Sequence, residues 1–411
     1  MSSPISTSPL VSFCIPTYQR ARYLDSLLGS LCLELADFPY PCEVFISDNA
    51  SADDTAEVVA RYQADLPIRY VRQAENRGGR ANYQFLQAQA RGRYLVYIAD
   101  DDAVMGARVA EVIALMEAQP EVGIVYAPWK LLDLVQDLDL GQFYRQDRDV
   151  RIEAGQQREL LDTLLRYGIF PDINICRREL VQAALPRIHQ QAYYAYVQAA
   201  EYVDRSAVLF LKEPYYVSIT NYFADHQREQ GGNEEAETAW DRYRAGLEYI
   251  LGRARSQLSE SERAEFLLRI EQMIARRIAV AVRLRLGADR DAVETYYLAY
   301  RLKALGAESL LPMDLDTLRG FAALQFWLTD PELGRGVQQR LCLGDFSEDL
   351  RDYIRQRSEQ PVQFLADTRD LPPLGEHGLV LSRLPLSDAE RQHLGGACVI
   401  QESELLRKFA A

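Results

Sequence analysis

The sequence predicts an α/β protein: an open, largely parallel sheet with helices on both faces, followed by a mainly helical region and a small α/β segment. Three observations carry that prediction. Over residues 10–99 short β-prone runs alternate with stretches whose apolar residues recur at helical spacing, and repeated βα units build parallel sheets. From Trp240 to about Arg357 helical spacing takes over, and beyond Pro361 short strands return between short helices. The corresponding domains are 1–232, 233–360 and 361–411.

The elements follow in order. Residues 10–15 form an apolar run stopped by Pro16, which suits a buried strand. Tyr23, Leu24, Leu27, Leu28 and Leu31 share one helical face. Val44, Phe45 and Ile46 make a second strand ending at Asp48. Ser51 with Asp54 resembles a capping box that opens a helix through Val58, Val59 and Tyr62. A third strand spans 68–71, the turn Asn76-Arg77-Gly78-Gly79 follows, and Tyr83 with Leu86 marks a third helix. A fourth strand, 94–99, runs directly into Asp100, Asp101 and Asp102. Later signals are a strand at 122–126, helices at 160–165 and 177–185, and strands at 208–211 and 215–219 flanking Pro214. Residues 226–238 are polar, with Gly231-Gly232 and four glutamates, and read as a loop or linker. In the helical region Phe266, Leu267, Ile270, Met273, Ile274, Ile278, Ala281 and Val282 trace one face. Arg269, Arg276, Arg277, Arg283 and Arg285 trace the other. That basic face fits a solvated helix, a homo-oligomer contact or an anionic surface. The last segment reads as strands at 362–366, 378–381 and 397–400 with helices at 387–394 and 403–409, and it has no Gly-rich phosphate loop.

Composition bounds the function. At 411 residues the chain can bury several cores, and its formal charge of −14 opposes nucleic acid as a partner. Six scattered cysteines form no CxxC pair, which argues against structural zinc and for a reducing compartment. No stretch approaches the roughly eighteen apolar residues of a spanning helix, and the Ser/Pro-rich start lacks a signal-peptide pattern. The expectation is a cytoplasmic protein, peripheral to a membrane if the basic face is used.

The chemistry concentrates at strand ends. Ligands of open α/β sheets bind beyond the carboxyl ends of the strands, where Asp48 and the run Asp100–Asp102 fall. Three adjacent carboxylates repel one another unless a cation neutralises them, and such hard oxygen donors suit Mg2+ or Mn2+ with phosphate and water completing the shell. The run alone is weak evidence, and its place after a buried strand strengthens it.

At these residues the sequence resembles family 2 glycosyltransferases. Four motifs carry the resemblance: residues 11–20, reading Val-Ser-Phe-Cys-Ile-Pro-Thr-Tyr-Gln-Arg; Val44-Phe45-Ile46-Ser47-Asp48-Asn49-Ala50-Ser51 and the acids after it; Asn76-Arg77-Gly78-Gly79-Arg80-Ala81-Asn82; and Tyr97-Ile98-Ala99-Asp100-Asp101-Asp102. The resemblance is strong over 10–130, weakens to about 230 and is absent beyond. It implies the GT-A fold, a nucleoside-diphosphate-sugar donor, a glycan or other hydroxyl acceptor, and Mn2+ or Mg2+ as cofactor. It further implies that Pro16, Thr17 and Tyr18 line the nucleotide pocket, that Asp48 meets the base and that Arg80 lies near base or phosphates. Asp100 and Asp101 would lie against ribose or sugar, Asp102 would ligate the metal, and His226 would approach metal or diphosphate. Each has a plainer alternative: Tyr18 a core aromatic, Asp48 a turn cap, Arg80 a surface ion-pair partner, His226 an exposed loop histidine.

The base that deprotonates the acceptor is where the sequence departs from the resemblance. Relatives carry an acidic pair about twenty residues before the segment that here reads Leu209 to Pro214. That position falls at Tyr193–Tyr196, which holds no acid. Glu201, Asp172 and Asp204 are the candidates. Nucleotidyl transfer is disfavoured because Pro16-Thr17-Tyr18 stands where a Gly-rich basic segment is wanted, and donor binding without turnover remains the alternative to catalysis.

Overall fold

The computed structural model describes residues 8–187, 191–225 and 236–409. The chain divides into two compact units, one of residues 1–231 with 241–273 and one of 232–240 with 274–411.

The first unit opens with the expected βα series: β1 Val11–Thr17, α1 Ala21–Glu34, β2 Cys42–Asp48, α2 Thr55–Tyr62, β3 Ile68–Arg72, α3 Gly79–Gln89 and β4 Tyr94–Tyr97. Then come β5 Asp102–Val104, α4 Gly106–Ala118, β6 Val122–Tyr126, β7 Trp129–Asp133, β8 Leu138–Gln142, β9 Val150–Ile152 and α5 Gln157–Tyr167. β10 Asn174–Arg177, α6 Arg178–Ala184, α7 Tyr194–Val203, β11 Ala207–Phe210, β12 Tyr216–Asn221 and α8 Trp240–Arg253 follow. An eight-stranded sheet runs β3-β2-β1-β4-β10-β6-β11-β9, and a four-stranded one runs β5-β12-β7-β8. β1 to β4 are mutually parallel where they pair, while β10 and β9 run antiparallel to their neighbours, so the sheet is mixed. Val11, Phe13, Ile15, Val44, Ile46, Tyr94 and Val96 face a continuous core with Leu24, Leu27, Leu28 and Leu31 of α1.

Some expectations need correction. β4 ends at Tyr97, and β10, whose four residues follow Asp172 closely, was not expected. Ser51 does not cap α2: Asp54 is its N-cap, and the Ser51 hydroxyl instead accepts the Gln19 N–H at 2.8 Å.

α9, Glu260–Gly287, contributes residues to both units. Its expected buried face holds for Phe266, Ile270, Ile274 and Ile278, but Leu267 is exposed. In the second unit α10 Ala292–Ala304 and α11 Leu315–Thr329 pack together, N-capped by Asp291 and Asp314. The expected run of helix to 357 is broken by β13 Gln339–Leu343, after which come α12 Glu348–Arg357, β14 Val362–Leu365, β15 Gly378–Ser382, α13 Asp388–His393, β16 Cys398–Gln401 and α14 Glu402–Leu406. These strands form a parallel sheet, β14-β13-β15-β16. Buried Arg340 of β13 donates to the carbonyls of Trp327 and Leu328 at 2.7 and 2.9 Å, satisfying acceptors left open at the end of α11. Among the described residues no helix is long and apolar enough to cross a membrane.

Candidate functional site

Parallel pairing brings the carboxyl ends of β1, β2 and β4 to one edge of the large sheet. Thr17 lies beside Asp48 in register, and the Asn49 N–H bonds to the Thr17 carbonyl at 2.9 Å. Beyond β1 and β2 the chain turns through a left-handed residue that is not glycine, Gln19 at φ 52° and Ala50 at φ 67°. Such conformations cost energy and collect where a turn must present backbone to a site. Pro16 is tolerated within β1 because the β1–β4 ladder ends at Cys14 and Tyr97, so no N–H is wanted there.

The acidic run folds into three different environments. Asp100 is buried and accepts from the Thr17 hydroxyl at 2.7 Å and from Arg20 Nη1 at 3.3 Å. Asp101, also buried, pairs with the same guanidinium. Burial and the neighbouring Asp101 charge push the Asp100 carboxyl up to about 7, against the pull of Arg20 and Thr17. Asp102 starts β5. Its Oδ2 accepts from the Tyr216 hydroxyl at 2.9 Å and its Oδ1 from the Ile219 N–H at 3.0 Å, while Tyr216 accepts from the Ala99 N–H. β12 thereby fixes Asp102 through both of its carboxylate oxygens. Among the described residues no three His, Cys, Asp or Glu side chains group into a cation's ligand set. The oxygen donors suit a hard cation in kind, but a diphosphate and water would have to complete the shell.

Asp48 is fully buried. Ser51 N–H donates to Oδ1 at 2.8 Å and the Tyr70 hydroxyl to Oδ2 at 2.6 Å, with Arg72 Nε at 3.7 Å. Tyr70 and the largely exposed Arg72 thus cover Asp48 on its Oδ2 side. Burial and the Asp48 charge raise the Tyr70 hydroxyl. Tyr18 is exposed, and Arg80, in the first turn of α3, is exposed without an ion pair among the described residues. His226 lies outside the described residues; Asp225 before it pairs with Arg22 at 3.0 Å.

The two acids expected as bases part company. Glu201 is buried on α7, where Oε1 accepts from Tyr249 at 2.7 Å and Arg253 at 3.2 Å, and Oε2 pairs with Arg205 at 3.1 Å. Arg253 also pairs with Asp204. Glu201 thus belongs to an ion-pair network joining α7 to α8. Asp172 is partly exposed, and Tyr193 donates to its Oδ1 at 2.6 Å. β10 runs antiparallel to β4 with Ile175 beside Val96, which brings the segment before it, with Asp172, back towards the carboxyl end of β4, and Tyr97 there feels the charges of Asp100, Asp101, Asp102 and Asp172.

Arg20, Tyr70, Arg72 and Tyr216 were not singled out from sequence. A signal existed for Arg20: adjacent buried acids need a cation, and it stands three residues beyond Thr17.

Residues 12–164 match the model of the family described as Glycosyl transferase family 2. Among curated proteins, an abequosyltransferase of Salmonella typhimurium is 36% identical over 115 residues, 28% of this chain and 34% of its own length. A validoxylamine A glucosyltransferase of Streptomyces hygroscopicus is 44% identical over 78 residues, 18% of each chain. The chain spans about a third or less of the length of these relatives. Among solved structures, S. aureus TarS 1-349 in complex with UDP-GlcNAc aligns over 76% of this chain and 90% of its own at 16% identity, TM-score 0.47. Mannosyltransferase PcManGT from Pyrobaculum calidifontis in complex with GDP-Man and Mn2+ aligns over 77% and 88% at 16% identity, TM-score 0.41.

Proposed function

With residues 12–164 a family 2 glycosyltransferase domain, we propose that the chain moves a sugar from a nucleoside-diphosphate donor to an acceptor hydroxyl, with inversion at the anomeric carbon. The observation that supports this best is the Thr17–Asp100–Arg20–Asp101 cluster at the carboxyl end of β4, the end towards which antiparallel β10 brings Asp172. The nucleotide lies over the ends of β1 and β2, against Pro16, Thr17, Tyr18, Tyr70 and Arg72. Arg77 and Arg80 at the start of α3 supply charge to the phosphates. Asp102, with Asp100 beside it and His226 from the segment after β12, would hold Mn2+ or Mg2+. When bound, that cation neutralises the departing diphosphate.

Asp172 is the base in this proposal. As the acceptor oxygen bonds to the anomeric carbon, its proton passes to an Asp172 carboxylate oxygen, and the bond from that carbon to the phosphate oxygen breaks with its electron pair leaving on the nucleoside diphosphate. Thr17 and Arg20 hold Asp100 and Asp101 so that the donor meets a fixed wall.

A panel of UDP-, GDP- and dTDP-sugars with Mn2+ tests the reading, first by thermal shift and then by release of nucleoside diphosphate. One donor should raise the melting temperature and turn over, and Asp172→Asn should lower turnover by about 10²–10⁴-fold with donor affinity retained. Tight binding of a donor with no turnover, even with acceptor extracts, would favour a binding module, the reading that the missing acid at 193–196 keeps in play.

A further inference from the structure

Residues 193–196 offer hydroxyls where an acid was expected, and the first two stand beside the acid proposed as base. Given the transfer reaction proposed above, we infer that Tyr193 and Tyr194 are positioning residues for Asp172: their phenols, at the start of α7, clamp its carboxylate in one orientation and hold it ionised at the pH where it must accept a proton.

Tyr193 donates to Asp172 Oδ1 at 2.6 Å, and the Tyr194 phenol lies near enough to the same carboxylate to feel its charge. Both rings are held. Tyr193 bonds through its N–H to the Arg242 carbonyl at 2.9 Å and packs edge-on against Tyr243, with ring centroids 4.8 Å apart. Tyr194 packs on Tyr83 at 5.5 Å, and Tyr83 packs edge-on against Tyr97 at 5.1 Å. That row of rings links the clamp to the tip of β4, so the hydroxyls and the acidic run are braced by one piece of structure.

The environment makes such a clamp necessary. Asp172 acts electrostatically on Tyr83 of α3, Tyr97 of β4, Tyr126 of β6 and Tyr144 as well as on Tyr193 and Tyr194. α8, which packs against Tyr193 through Tyr243, brings Asp241 and Arg242 to the same corner. Aromatic surroundings strip water from a carboxylate and favour its neutral form, whereas donated hydrogen bonds favour the charged form. Burial and the Asp172 charge raise both phenols far above their ordinary value, so they remain protonated donors throughout the working range.

The test uses the full chain labelled with 13C at aspartate side chains, the Asp172 resonance being the one lost in Asp172→Asn. In Tyr193→Phe and in Tyr194→Phe its titration midpoint should rise by on the order of one pH unit each. The acid limb of kcat/KM, measured with the donor that turns over in the panel, should move the same way while the donor KM stays unchanged. Phe keeps each ring, and near-ultraviolet dichroism identifies a variant that has lost its packing; the other single variant then carries the test. Midpoints unmoved in the folded variants would overturn the positioning role. Raised midpoints in a chain that turns over no donor would leave the clamp standing and overturn the transfer reaction instead.

Discussion

Burial strips water from Asp100 and the Asp101 charge lies beside it, which together push its carboxyl up to about 7. In the unfolded chain an aspartate releases its proton near ~3.9. Between those values the folded state carries the extra proton, so this group's contribution to stability is greatest in acid and declines as pH rises towards 7. Asp100→Asn removes the decline. Its melting temperature, measured without divalent cation, should gain on the wild-type chain steadily from pH 4 to 8, and a constant gap across that range would show that Asp100 titrates normally. Much at this scale was legible in the sequence. A parallel βα series had to bring Thr17, Asp48 and the acidic run to one edge, because consecutive strands there end on the same side. What could not be read was which side chain closes over which. Tyr70 reaches Asp48 only because β2 and β3 pair with Asp48 beside Arg72 and Ile46 beside Tyr70, a register that no local pattern fixes.

At the scale of elements, the helices set the distances and two glycines reveal how tightly. The N-terminus of α4 lies against the end of α1, where the Gly106 N–H donates to Glu34 Oε2 at 2.7 Å. A Cβ on Gly106 would stand 2.2 Å from the Glu34 carbonyl oxygen, and backbone on both helices would have to yield. Gly106→Ala should cost about 1–3 kcal/mol by denaturant titration. Gly168 is the contrast. It ends α5 in the left-handed conformation, φ 64° and ψ 37°, with open space around the position a Cβ would take. Gly168→Ala should therefore cost only the conformational term, about 1–2 kcal/mol. If Gly106→Ala is as mild as a surface change, the close approach of α1 and α4 is wrong. Elements with strong periodicity were legible, α1 above all, whose five core positions are the five expected. β10 was not, because Asn174-Ile175-Cys176-Arg177 is short, antiparallel and merges into a helix without a turn signal. β13 was hidden in the same way, a five-residue strand in a chain otherwise reading as helix.

For the molecule as a whole, the expected domain boundary at residue 232 meets a specific obstacle: the first unit resumes at residue 241 and runs to 273. α8 buries Tyr243, Leu247, Ile250 and Leu251, and Gly246 comes so near α7 that a Cβ would lie 2.8 Å from Tyr196 Cβ. It also supplies Tyr249 and Arg253 to the carboxylate of Glu201, which is only 2% exposed. A chain ending at residue 232 takes Tyr249 and Arg253 away from that glutamate and Tyr243 away from Phe170 and Tyr193. Burying four such side chains is worth roughly 6–12 kcal/mol at ~1.5–3 kcal/mol each, as large as the net stability of an ordinary domain. A fragment of residues 1–232 should therefore fail to unfold cooperatively in urea and should bind a hydrophobic dye, while a fragment of residues 1–273, which keeps α8 and the whole of the first unit, unfolds in a single transition. Equal behaviour of the two fragments would mean that α8 is dispensable to the first unit.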